Sequence, residues 1–119
     1  MGRLLVAIRA LTRQERSVLE RALASASVGG SDIPAAEQID LLQVVGKCSC
    51  GCASVEFLHL EPGEIAKVVA DGIGETAMGE QVGVIVFALE GRISSIEIVG
   101  YSAGPAELPV ASTVRGWGD

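Results

Sequence analysis

Aromatic side chains make up only 3% of the 119 residues, and histidine occurs once, at position 59. Scarce aromatics leave core formation to small aliphatic side chains, each of which buries a modest area. Basic residues are also in short supply. Nine Lys and Arg stand against fifteen Asp and Glu, a net charge of −6. With a pI near 4.7, wholesale attraction to nucleic acid or an anionic membrane is not expected. No apolar run approaches the roughly 20 residues that span a bilayer as a helix. The chain lacks a G-x-S-x-G nucleophile elbow and the Lys-Ser/Thr ending of a P-loop. With a single histidine, any Cys–His dyad must use His59, which is out of phase with Cys52 along an extended chain. Paired acids such as Glu61 and Glu64, or Glu75 and Glu80, read as loop-solvating charges, so no catalytic residue is assigned.

What is present is aliphatic. Hydrophobic residues reach 49%, and there are 15 glycines. The mean hydropathy is +0.43. One domain of this size has much surface for its volume, so apolar area is expected to remain after folding. A homodimer or another protein partner would cover it. Charge is segregated. Positions 1–21 carry +3, from five arginines against Glu15 and Glu20, and the remainder carries −9. The basic segment reads as a solvated helix face. Its start, MGRLLVAIRALTR, has a short apolar run broken by Arg9 and no small-residue cleavage site, which argues against a secretory signal. Val6 stands where a myristoylation motif wants Ser or Thr. A cytoplasmic protein is the expectation.

The pattern predicts a helix over 12–27. Thr12 and Glu15 have capping-box spacing, Val18, Leu19, Ala22 and Leu23 share a face, and Gly29-Gly30 stops it. A second helix is expected over 33–43, capped by Asp32, with Pro34 in its first turn and Ile39 and Leu42 facing the core. Positions 44–101 read as antiparallel sheet. Val55 and Phe57 alternate with Glu56, Ile65–Ala70 is a weaker strand, and glycine-rich Asp71–Glu80 reads as a loop. Val82–Tyr101 reads as a β-hairpin turning at Glu90-Gly91. Positions 102–119 read as an extended tail, with Trp117 as an anchor. The expected fold is therefore α+β, with two N-terminal helices packed on one face of an antiparallel sheet of about four to five strands.

All three cysteines fall within Cys48-Ser49-Cys50-Gly51-Cys52. Residues two apart in an extended segment point to the same side. Cys48, Cys50 and Cys52 can then converge on one soft ion such as Zn²⁺ or Cu⁺, with His59 as a candidate fourth ligand. Cys50 and Cys52 could instead close a small, easily reduced disulfide, with Cys48 as resolving thiol. A third reading makes the cysteines small buried residues in a turn entering a strand.

The runs VVGKCSCGCASVEF and VGVIVFALEGRISSIEIVGYSAGPAELP resemble a group of small bacterial proteins of unknown function. In that group an L-T-x-x-E helix start precedes a Cys-Gly turn and a C-terminal β-hairpin. The matching residues are Leu11–Glu15, Cys48–Cys52 and Val82–Tyr101. The resemblance implies a shared fold and carries no residue roles. Some small acidic α+β proteins of this look resemble immunity proteins that neutralise toxins. The first functional expectation is thus a non-catalytic protein-interaction module, with an immunity-like protein as one form of it. The alternative is a metal-binding or thiol-redox protein centred on the cysteines.

Overall fold

The computed structural model describes residues 3–28, 36–48 and 50–118, the side chains of 3–7 and 36 aside. In chain order the elements are β1 (Arg3–Ala10), α1 (Arg13–Ser25), a 3-10 turn (Ala36–Leu41), β2 (Gln43–Cys48), β3 (Val55–Glu56), β4 (Lys67–Glu75), β5 (Gln81–Leu89), β6 (Arg92–Gly100), a second 3-10 turn (Ala111–Thr113) and β7 (Arg115–Gly116). The seven strands form one antiparallel sheet in the order β1-β2-β3-β6-β5-β4-β7.

This architecture corrects the expected pair of helices on a sheet of four to five strands. Among the described residues there is one α-helix, the sheet has seven strands, and the molecule is mostly β, so the α+β description fits only loosely. Three local causes account for the difference. Arg3–Ala10 is not a solvated helix face. It is an edge strand paired with β2, from Arg3 opposite Cys48 to Ala10 opposite Gln43. Residues 36–41 coil as a 3-10 turn that serves the hairpin. Its Gln38 side chain donates to Gly91 O and accepts from Ile93 N. The helix start placed at Asp32 and Pro34 lies outside the described residues. Finally, β4 runs through the glycines expected to form a loop. Gly72 and Gly74 lie on the helix side of the sheet, opposite Val84 and Val82 of β5. A Cβ at Gly72 would stand 2.2 Å from Arg115 O and 2.7 Å from Ala26 Cβ. Gly72 is there because β7 and the end of α1 approach that closely, and Gly74 because a Cβ would stand 2.9 Å from Pro109 Cβ and 3.1 Å from Val114 Cγ2. Over its described residues, 102–118, the expected tail is accordingly docked. Val114 and Pro109 are fully buried, β7 pairs with β4, and the half-exposed Trp117 donates from Nε1 to Asp71 Oδ1 at 3.0 Å.

Helix α1 begins where its sequence marks it. Thr12 accepts from Glu15 N, and the Glu15 carboxylate accepts from Thr12 N. That carboxylate is also held by Arg9 of β1 through two bonds of 2.8 and 2.9 Å. Burial pushes the Glu15 carboxyl up, but the Arg9 and Thr12 bonds outweigh it and hold the group below its ordinary range. One face of α1, Val18, Leu19 and Ala22, packs into a core with Ala70, Val84, Val86, Ile96 and Ile98. Pleating turns the other residues of β4–β6 to the opposite face. There the pairings align Asp71, Ile85 and Glu97 in one row, and Val68, Phe87, Ser95 and Glu56 in the next. The hairpin of β5 and β6 turns at Glu90 and Gly91, with φ of 50° and 80°. Both angles are positive, as a type I′ turn requires.

Candidate metal centre

Strand β2 ends at Cys48, and the chain then reverses. Gly51 N donates to Cys48 O at 3.4 Å, and Gly51 has φ of 88°, a region glycine enters without steric cost. The following segment is tied to the body at two points. Ala53 N donates to Ala106 O at 2.8 Å. The Ser54 hydroxyl accepts from Ile98 N at 2.8 Å and donates to Ile98 O at 3.4 Å. The turn is thereby pinned to β6 and to the 104–106 segment, so its side chains are held near one another by packed structure on both sides.

The result is a three-sulfur cluster. The Sγ atoms of Cys48, Cys50 and Cys52 all lie within 4.8 Å of one another. The sulfurs of Cys48 and Cys50 are 2.8 Å apart, and all three are free thiols. Backbone donors orient the sulfurs. Cys50 N points at Cys48 Sγ, and Cys52 N at Cys50 Sγ, each at 3.4 Å. Cys52 Sγ in turn lies 3.4 Å from Ser54 Oγ. Zn–S bonds of about 2.3 Å in a tetrahedron place sulfurs about 3.8 Å apart, so small side-chain adjustments would bring the three onto one ion. Cys50 is exposed while its neighbours are half-buried, which leaves the cluster open to solvent on one side. Such a cluster can hold a metal ion.

The fourth ligand expected at His59 is not brought to the sulfurs. β3 is only two residues long and ends at Glu56, so the strand alternation stops before position 59. Val55 and Phe57 are buried and His59 is exposed. Among the described residues no histidine or carboxylate joins the three sulfurs. Ser54 and Ala106, which hold the turn in place, carried no sequence signal; their roles depend on β6 and on a segment about fifty residues away.

No protein-family model, curated protein or solved structure matches this chain. Among the described residues no helix is long and apolar enough to cross a membrane.

Proposed function

We propose that the protein binds one soft metal ion through Cys48, Cys50 and Cys52. The observation that carries this reading is the convergence of three free sulfurs within 4.8 Å on a turn anchored at both ends. Thiolate ligands select Cu⁺ and Zn²⁺ over hard cations. Cu⁺ is satisfied by the three sulfurs alone. Zn²⁺ would need a further ligand from solvent or from another molecule, and the exposed side at Cys50 leaves room for one. An incomplete, accessible shell suits an ion that is carried or exchanged better than a closed structural site.

The test is metal analysis on protein purified without chelator, followed by Cd²⁺ and Cu⁺ titration under reducing conditions. One equivalent should bind, release protons, and protect the thiols from alkylation. Less than about a tenth of an equivalent, with three thiols that react as fast with metal as without, would reject the proposal.

A second reading, association with a copy of itself or another protein, is favoured by one separate observation. The sheet face away from α1 leaves Val68, Val99, Tyr101 and Trp117 between 37% and 58% exposed, an apolar area of the kind partners cover. Sedimentation analysis of the wild type and of Trp117→Ser tests it. A monomeric wild type under all conditions disposes of self-association.

A further inference from the structure

A groove of about 550 Å³ runs between the outer sheet face and the segment that links β3 to β4. Its apolar wall is Leu58, Leu60, Ile65 and Phe87. A volume within the roughly 300–1,000 Å³ of small-molecule sites, with mostly apolar walls and a few polar groups, is what a ligand pocket needs. Three of the polar groups are the carboxylates of Glu56, Glu64 and Glu97, opposed by the single ammonium of Lys47.

The decisive feature is Ser94, which also lines the groove. It is 2% exposed, and its hydroxyl has no hydrogen-bond partner. Leaving a buried hydroxyl unpaired is costly, and such a group calls for an explanation. The cause is local. The β5–β6 register slips between Phe87 and Ala88, so Ser95 faces Phe87, Ile93 faces Ala88, and Ser94 is the extra residue of a β-bulge. Its backbone oxygen is used by Phe57 N at 2.8 Å, but the side chain is left over. Bulges of this kind re-aim side chains beside functional sites.

We infer that this groove binds a small organic amine with an apolar body. The body lies against Phe87 and the leucines. The ammonium sits among the carboxylates and donates to the Ser94 hydroxyl, which would then have its partner. The groove shares Cys48 with the sulfur cluster, but none of the groups invoked for the amine is a sulfur, and the inference does not depend on metal binding.

The experiment uses the full chain stripped of metal with EDTA and three probes that differ only in head group: 4-phenylbutylamine, 4-phenylbutanol and 4-phenylbutyrate. Amide chemical shifts should move at 58–66, Phe87 and 94–97, and the amine should bind about tenfold tighter than the carboxylate. That preference should shrink as salt is raised. Glu64→Gln with Glu97→Gln should weaken the amine and leave the alcohol unchanged. Ser94→Ala should weaken both amine and alcohol by roughly threefold to tenfold, in a protein that melts no lower than wild type. Equal affinity for amine and carboxylate, shifts confined to other surfaces, or unchanged binding by Ser94→Ala would each overturn the inference.

Discussion

Cys50 is the exposed sulfur of the triad and the one whose removal disturbs the least packing. Cys50→Ser is expected to leave stability within about 0.5 kcal/mol of wild type. It should also lower Cd²⁺ affinity at least 100-fold, since an alcohol is a poor substitute for a thiolate. Competition with a coloured chelator reads the change, and an unaltered Cd²⁺ affinity would remove Cys50 from the site. The triad itself was legible because all three cysteines lie within five residues, so that the turn at Gly51 brings their sulfurs together although the segment is not extended as strand alternation would require. The proposed role of His59 was not: it rested on the chain turning back at Gly51, and the turn is there, with φ of 88°, yet His59 does not join the sulfurs, because the path beyond Glu56 is not written in the residues around the turn. Glu90 offers a second single-residue test. It is the one non-glycine residue at positive φ among the described residues, and left-handed backbone costs an ordinary side chain roughly 1–2 kcal/mol. Asn tolerates that region and suits the first central position of a type I′ turn. Glu90→Asn should therefore raise stability by about 0.5–1 kcal/mol in urea titration, and a loss would mean that the Glu90 side chain contributes a contact of its own.

At the scale of the element, α1 shows how a local signal and a distant partner reinforce each other. Thr12→Ala removes the cap and should cost about 1 kcal/mol. Glu15 adds a pH dependence. Its carboxyl is held below its ordinary 4.5 in the folded chain. The stabilisation it provides is therefore complete above that value and disappears as pH falls through the lower folded value. Stability curves between neutrality and pH 3 should drop more steeply for wild type than for Glu15→Gln, and parallel curves would contradict the assignment. Strand β4 teaches the opposite lesson. The helix start was readable because capping needs only residues 12–15, and the β5–β6 hairpin was readable because its turn residues and alternation are contiguous. In β4, Gly72 and Gly74 looked like loop residues because nothing nearby in sequence reveals that Arg115, Pro109 and Val114 press against them. Gly72→Ala sets a methyl group against the Arg115 carbonyl and should cost at least about 2 kcal/mol. It should also free Trp117, read as a shift of its fluorescence toward the solvent-exposed value before global unfolding.

For the molecule as a whole, the sheet order separates contacts that form early from those that must wait. β4, β5 and β6 are consecutive in sequence and adjacent in the sheet, whereas β3 reaches β6 across about forty residues and β1 reaches β2 only after α1 has intervened. That ordering also explains why the number of strands was underestimated from sequence. The two strands missed, β1 at the edge and the two-residue β7, are defined by partners far along the chain, β2 and β4, and not by their own periodicity. Closing short loops costs less entropy than closing long ones, so the β4–β5–β6 meander is the natural folding nucleus, with α1 and the β1–β2 pair condensing onto it. Val84 and Val44 are both fully buried valines, one in β5 and one in β2, and either change to Ala should destabilise enough for its kinetics to be partitioned. Val84→Ala should slow refolding, with φ above about 0.5, while Val44→Ala should mainly accelerate unfolding, with φ below about 0.3. Stopped-flow chevrons on the two variants decide the matter. If Val44 carried the higher φ, the early structure would lie in the β1–β2 half, and the sulfur turn that follows β2 would be formed before the strand that now anchors it.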